Sequence, residues 1–365
     1  MKLLIAANCN VGLYLFRKEL VETLLQEHQV TVSVPFGEYT DQLREIGCEL
    51  IDTPVDRRGI NPVKDLKLFM QYVKILKKQK PDLVVTYTIK PNIYCGFACR
   101  LLKIPYAANI TGLGTAFQSG GLLRSLVTAL YRTSLKKARV VFFENEGNRQ
   151  TFITQKILCP EKTVRLNGAG VNLERYSFKP YPATEPVRFL FVGRVMREKG
   201  IDELFAVMDR LHEEGATCTL DVLGYYEEDY ANIIRDCERK GWLRYHGYQQ
   251  DVRPFIEKAH CFVLPSYHEG MANTNLECAS MGRPVITSDI PGCREAVVEG
   301  KSGLLCKSMD CESLYAAMSR FLKLSVAEKE AMGLVGRKHM ETVFDKELVV
   351  AETVRHLNAA VNEMK

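Results

Sequence analysis

Short apolar segments alternate with amphipathic ones along almost all of the 365 residues, and the alternation breaks only once. Leu3–Ala7, Val30–Val34, Leu83–Thr86, Ala107–Ile110 and Val140–Phe143 read as strands that are apolar at successive positions, so both of their faces must be covered. Amphipathic stretches at 13–26, 40–46, 63–79, 92–102, 122–137 and 147–155 lie between them; in the first, Leu15, Leu20, Val21, Leu24 and Leu25 gather on one side. Tyr176–Val187 then carries Pro180, Pro182 and Pro186 with little periodicity, which predicts a linker. The pattern restarts with strands at Phe189–Val192, Thr219–Leu223, Cys261–Leu264 and Val285–Thr287, and a strand and loop at Tyr245–Tyr248. Helices are expected near 201–214, 228–240, 251–258, 273–281 and 310–323, with two more near 326–342 and 346–363. The predicted class is α/β, with two Rossmann-like, doubly wound parallel-sheet domains facing a cleft. The proline break divides the chain into domains at 1–180 and 181–345.

Composition narrows the functional classes. Hydrophobic residues at 46% and charged residues at 25% exclude a disordered or collagen-like chain, and no apolar run reaches the roughly 18 residues of a membrane span. The opening Met1–Ala7 is as apolar as a short signal segment but lacks a basic leader, so it reads as a buried first strand. Twelve cysteines are scattered without a CxxC pair or zinc-like spacing, which favours a reduced, cytoplasmic protein without a metal. The net charge of +5 hides an asymmetry: residues 1–180 hold 26 Lys and Arg against 15 Asp and Glu, the remainder 23 against 29. The basic half could meet nucleic acid, an anionic bilayer or a phosphorylated substrate.

Ligands of such sheets bind at strand-to-helix turns, and two turns carry chemistry. In Phe191–Gly200, Gly193 lets the chain leave its strand, and Arg194 and Lys199 stand near a helix start already favourable to anions. Two cations there call for a partner such as a diphosphate; a solvated helix start beside Glu198 and Asp202 is the plainer alternative. The turn has neither GxGxxG nor GxxxxGK[ST], which argues against a nicotinamide or P-loop site. In Leu264–Glu277, Glu269 precedes a helix on which Glu277 sits among apolar neighbours. Carboxylates suit vicinal hydroxyls of a ribose or pyranose, and Gly270, Met271, Ala272 and Asn273 could offer backbone N–H groups at the helix entrance.

With these residues in view, the chain resembles the retaining nucleotide-sugar glycosyltransferases of the GT-B fold, in the bacterial branch that extends lipid-linked sugars for capsule, O-antigen or protein glycans. Its E-x7-E motif is matched by Glu269 and Glu277, its diphosphate turn by Gly193, Arg194, Lys199 and Gly200, and its domain-junction motif by Gly168, Gly170, Val171, Asn172 and Tyr176. Thr88–Asn92 and Asn109–Gly114 look like that branch's acceptor-side loops. The resemblance implies that Arg194 and Lys199 hold the donor diphosphate, Glu277 the ribose, and Glu269 with the 270–273 amides the transferred sugar. It places Asn10 and Gly12 against the donor phosphate, Tyr248 near the base, and Lys90, Asn92, Asn109, Thr111 and Gly112 on the acceptor side. It also implies a UDP-sugar donor, a polyprenyl-diphosphate-linked acceptor and a hexose or N-acetylhexosamine transferred with retention. The final helix, 346–365, would return to the first domain.

One departure bears on mechanism. Many relatives carry a histidine in the loop at 109–114, and this chain has none; the 8–12, 88–92 and 109–121 loops also lack Asp and Glu. An inverting transfer needs a base there, so retention by front-side attack is expected, with Glu144 or Glu146 as the remaining candidate bases. No D-x-D occurs, so the expectation is catalysis without a metal or other cofactor. Lys64, Lys67, Lys74, Lys77, Lys78 and Lys80 interleave with apolar residues over 63–80, and a second basic helix begins after Gly120–Gly121. That pattern predicts peripheral attachment to an anionic membrane on the inner face of the plasma membrane. Aromatic–basic interleaving of the RNA-binding kind is missing, so nucleic acid is not expected. The rival readings are a nucleotide-sugar isomerase or hydrolase on the same fold, and a non-catalytic sugar-nucleotide-binding protein.

Overall fold

A computed structural model describes residues 1–56, 61–114, 117, 121–183 and 185–362. It divides into two compact units, Met1–Ala169 with Lys346–Lys365, and Gly170–Asp345.

The first unit is built on seven strands: β1 (Lys2–Ala6), β2 (Gln29–Val34), β3 (Glu49–Asp52), β4 (Leu83–Tyr87), β5 (Tyr106–Ile110), β6 (Val141–Phe143) and β7 (Thr163–Arg165). All pairings are parallel, in the order β3-β2-β1-β4-β5-β6-β7. Helices α1 (Asn10–Glu27), α2 (Thr40–Glu45), α3 (Pro62–Gln79), α4 (Gly96–Leu102), α5 (Gly121–Ser134) and α6 (Glu146–Thr154) connect them. The strand period of two sorts the core. Leu3 and Ile5 of β1 face Leu13, Leu20, Val21 and Leu24 of α1, whereas Leu4 and Ala6 face Leu68, Tyr72 and Leu76 of α3, Cys99 of α4 and Tyr131 of α5. Each such leucine contributes about 1.5–3 kcal/mol by leaving water. Local chemistry fixes the starts: Asn61 accepts the Val63 and Lys64 amides ahead of Pro62, and Asn145 accepts that of Asn148.

The second unit holds six parallel strands, β8 (Val187–Val192), β9 (Cys218–Leu223), β10 (Leu243–Tyr245), β11 (Cys261–Leu264), β12 (Val285–Ser288) and β13 (Gly303–Cys306), in the order β10-β9-β8-β11-β12-β13. Its helices are α7 (Ile201–Glu213), α8 (Ala231–Arg239), α9 (Arg253–Lys258), α10 (Asn273–Ser280), α11 (Cys311–Leu322) and α12 (Val326–His339). Helix α13 (Lys346–Asn362) then belongs to the first unit, where Val349, Val350, Leu357, Ala360 and Val361 join the α1 side of the core.

Two sequence readings change. The boundary lies at Ala169–Gly170 rather than at 180, and the proline-rich stretch is not a free linker. Arg283, fully buried, donates to the Lys179 and Pro180 carbonyls at 2.9 and 3.0 Å and to the Ile256 and Glu257 carbonyls, while Ser280 Oγ donates to the Tyr176 carbonyl at 2.7 Å. Proline removes periodicity without removing carbonyl acceptors, and these hold the segment on the second unit. Strands β3, β7 and β13 escaped the sequence reading because they are sheet edges, short and, in β3 and β7, partly polar. Of the residues read as helix over 92–102, the first form a π-helical turn, Pro91–Cys95, ahead of α4.

Candidate active site

Strand order reverses between β1 and β4 in one sheet and between β8 and β11 in the other. At such a switch point adjacent strands send their connections to opposite faces, which opens a crevice at their carboxyl ends. The turn after β8 (193–200) and the turn after β11 (265–272) flank that point in the second unit, so the topology brings the two chemistry-bearing turns side by side.

Their contacts are direct. The Tyr267 amide donates to the Glu198 carbonyl at 2.9 Å. Gly200 has φ +71°, and a Cβ there would stand 2.1 Å from the Pro265 carbonyl oxygen, so only glycine allows the approach. At Gly193, by contrast, an added Cβ would meet only the Phe191 ring at an ordinary 3.5 Å; the steric demand of this turn falls on Gly200. Across the junction Lys199 Nζ lies 2.5 Å from Glu269 Oε1, and Ser266 Oγ donates to the same oxygen at 2.8 Å. The two charged side chains keep 18% and 12% of their exposure, which makes this a largely desolvated pair. Arg194 is more open, with Nη1 at 3.5 Å from Glu227 Oε2. Glu277, half-buried on α10, stands beside the Tyr176 hydroxyl; burial first, and that carboxylate second, hold the phenol well above its ordinary range.

Several expected ligand groups have other occupations. The Ala272 amide donates to the Gly292 carbonyl at 2.7 Å and that of Asn273 to the Met271 carbonyl at 3.0 Å, so these two amides serve the loop; Met271 and Ala272 are themselves buried. Gly270 is half-buried at the head of this loop. The Asn273 Oδ1 atom is buried without a hydrogen-bond partner. Tyr248 is exposed, its ring 6.5 Å from that of Tyr225, beside the stacked pair Tyr226 and Tyr245.

In the first unit, Asn10 opens α1 but is buried, and its Nδ2 donates to the Pro35 carbonyl at 3.0 Å; it fastens the loop after β2. A Cβ at Gly12 would meet nothing within 4 Å, and no side chain caps this helix start. Lys90 Nζ is 2.7 Å from Asp65 Oδ1 in a partly buried pair. Asn92 is fully buried: it accepts from Thr86 Oγ1 at 2.6 Å and donates to the Asn109 carbonyl at 2.8 Å. Asn109 is equally buried, next to the Tyr87 hydroxyl. Asn92 therefore uses its amide to tie the two strand ends together, a correction for that residue that sequence could not supply because a buried amide and a binding amide look alike, whereas Asn109 contributes its backbone carbonyl and its side-chain Nδ2 and Oδ1 are buried without a hydrogen-bond partner. Thr111 and Gly112 remain half-buried on the following loop. Glu144 is also corrected as a candidate base: it is buried, ion-paired with Arg17, and desolvation raises its pKa while Arg17 opposes the rise. The Glu146 carboxylate accepts from Arg149 and Gln150. Sequence reasoning missed Ser266, Glu227, Gly292 and Glu295, since none belongs to a motif with a recognisable spacing. Among the described residues, no group of three or more His, Cys, Asp and Glu is arranged to hold a metal ion.

With this geometry in hand, the chain can be compared with known proteins. A family model described as Glycosyl transferase 4-like matches residues 2–145, and one described as Glycosyl transferases group 1 matches residues 186–324. The N,N'-diacetylbacillosaminyl-diphospho-undecaprenol alpha-1,3-N-acetylgalactosaminyltransferase of Campylobacter jejuni is 27% identical, over 88% of this chain and 90% of its own length. The UDP-Gal:alpha-D-GlcNAc-diphosphoundecaprenol alpha-1,3-galactosyltransferase of Escherichia coli is 26% identical, over 78% of this chain and 77% of its own. The crystal structure of Anabaena HepE in complex with UDP and glucose superposes with a TM-score of 0.82, covering 98% of this chain and 100% of that one, at 13% identity, a likeness of fold. Two switch-point sheets and two matching models that span most of the chain lead to one assignment: the chain belongs to the group 1 glycosyltransferases of the GT-B fold, whose members include enzymes acting on lipid-linked sugars in surface-polysaccharide synthesis.

Proposed function

We propose that this enzyme moves a hexose or N-acetylhexosamine from a UDP-sugar to a sugar carried on a polyprenyl diphosphate, with retention of configuration and without a metal ion or other cofactor. The observation that carries the reading is the desolvated Lys199–Glu269 pair at the switch point of the second sheet, with the more exposed Arg194 on the same turn as Lys199. In the proposed reaction Lys199 and Arg194 receive the donor diphosphate and stabilise the charge that grows on it as the sugar leaves. Glu269 accepts hydroxyls of the transferred sugar, and Glu277 those of the ribose. On the acceptor side the reading keeps Lys90, Thr111 and Gly112, in the segments that follow β4 and β5. With Glu144 tied to Arg17, front-side attack leaves the acceptor proton to a donor phosphate oxygen. Two relatives named for undecaprenol-diphosphate-linked substrates and alpha linkages support the acceptor class and retention, and the fold neighbour bound to UDP supports the carrier.

A bilayer partner on the inner leaflet follows from the same reading. Helix α3 exposes Val63, Leu66 and Met70 together with Lys64, Lys67, Lys74, Lys77 and Lys78, and its single carboxylate, Asp65, is turned inward to Lys90. Residues 83–143 contain no Asp or Glu at all. Among the described residues no helix is long and apolar enough to cross a membrane. Cations and exposed apolar side chains on one helix suit an anionic surface, at about 1 kcal/mol per cation. UDP release that requires a lipid-linked acceptor supports the transferase; equal release without acceptor would favour a hydrolase instead.

A further inference from the structure

The Glu269–Ala272 loop rests on a second turn, Asp289–Glu295 after β12, which belongs to neither chemistry-bearing motif. The contact is backbone on backbone. Gly292 has φ +87°, and a Cβ on it would stand 2.6 Å from the Gly270 carbonyl oxygen and 2.9 Å from that of Glu269. Its own carbonyl accepts the Ala272 amide at 2.7 Å. Its amide is taken by Glu295 Oε2, also at 2.7 Å. The turn is braced from behind, with the Asp289 amide donating to the Cys306 carbonyl at 2.7 Å and His339 Nε2 lying 2.9 Å from the Glu295 carbonyl. One charged side chain therefore holds the N–H of the glycine against which the Glu269–Gly270 backbone lies.

We infer that Glu295 is a positioning residue for sugar transfer: by holding the Gly292 N–H it keeps that residue, and with it the Glu269–Ala272 loop, in place at the transferred sugar, without touching the donor. This rests on the reading of that loop given above. Ser266 and Lys199 pin the Glu269 carboxylate, whereas Glu295 sets the backbone beneath it. Losing the side-chain pins would loosen one group; losing Glu295 would let the whole loop shift. A displacement near 1 Å costs up to about 100-fold in rate when it disturbs a near-attack geometry.

The test compares Glu295→Ala, Glu295→Asp and Glu295→Gln with the wild type for kcat, donor KM, UDP affinity by calorimetry and melting temperature. Glu295→Ala is expected to lose about 10- to 100-fold in kcat with UDP affinity nearly unchanged, because the diphosphate turn is not part of the buttress. Glu295→Gln retains an oxygen that accepts the Gly292 amide, so it should stay close to wild type. Glu295→Asp, one methylene short, is the milder probe should the alanine variant melt early, and should fall between the two. Wild-type kcat in both the alanine and the aspartate variants would overturn the inference. So would a glutamine variant as impaired as alanine, or a loss of UDP affinity matching the loss of kcat. A wild-type protein that fails to bind UDP would overturn the reading of the site itself.

Discussion

Replacing Lys199 by alanine removes two interactions that the structure allows to be separated. Lys199 Nζ sits 2.5 Å from Glu269 Oε1, with both side chains more than four-fifths covered. Breaking a fully buried pair from one side costs about 3–5 kcal/mol because the other charge is stranded. Here Ser266 Oγ still donates to Glu269 Oε1 and some water reaches the pair, so about 1–2 kcal/mol of stability is expected to go. In the reaction, a preorganised cation facing a departing diphosphate is worth about 2–4 kcal/mol, which corresponds to roughly 30- to 1000-fold in kcat. The double variant Lys199→Ala/Glu269→Ala then divides the two effects. Removing the stranded carboxylate should return most of the stability, and none of the activity. Urea denaturation and initial-rate kinetics on the four corners of the cycle read both quantities. Near-wild-type turnover in Lys199→Ala would refute the role in leaving-group stabilisation, and equal rescue of stability and rate in the double variant would show that the lysine matters only to folding.

Glu277→Ala should weaken UDP by about 10- to 100-fold through loss of a charged hydrogen bond, whereas a 2′,3′-dideoxy analogue should bind variant and wild type alike; calorimetry in which the analogue loses as much as UDP would remove Glu277 from the ribose. Arg283 is fully buried, burial pushes its guanidinium down to about 10, and it donates only to carbonyls, so Arg283→Met should cost about 4 kcal/mol or more of unfolding free energy; a loss below about 1 kcal/mol would mean the 179–180 segment is held by other contacts. NMR of the product should show an α-linkage from an α-linked donor, and turnover should survive EDTA; a β-linked product, or activity lost to EDTA and restored by Mn2+, would end the retaining or the metal-free part of the reading. Arg337 beside Glu341 holds that carboxyl below its ordinary range, so the unfolded chain binds the extra proton and the contribution is present above about pH 4.3 and lost as the pH falls through the folded value. Glu341→Gln should flatten that acid limb of the melting curve, modestly because the pair is half exposed; an unchanged limb would exclude this pair as its source.

How far the sequence reached depended on burial. Strands such as Leu83–Tyr87 and Cys261–Leu264 are covered on both faces, so their apolar runs were plain, whereas the β3 edge, Glu49–Asp52, had no buried face to advertise. The two turns of the candidate site were legible because Arg194, Lys199 and Glu269 are charged residues in strand-to-helix turns and Glu277 is a charge on an otherwise apolar helix. The pairing of Lys199 with Glu269 was not, since it depends on β8 and β11 lying side by side although the two residues are 70 positions apart in sequence. Asn92 shows the complementary limit: an amide that closes a core hydrogen-bond network has the composition of one that binds sugar. Glu295 left no trace in the pattern because its partner is a backbone N–H, which every sequence possesses.

Helix α13 gives the chain an unusual order of completion. Val349, Leu357 and Val361 close the α1 side of a core whose first strand begins at Lys2. A ribosome releases the entire second unit before those side chains emerge, at about 5–20 residues per second. During that interval of many seconds the α1 side of the first unit still exposes apolar surface that α13 later covers. The nascent protein must therefore keep Leu13, Leu20 and their neighbours from straying until α13 is made, and a ribosome stalled shortly before α13 would leave an intact second sheet and an unfinished first one.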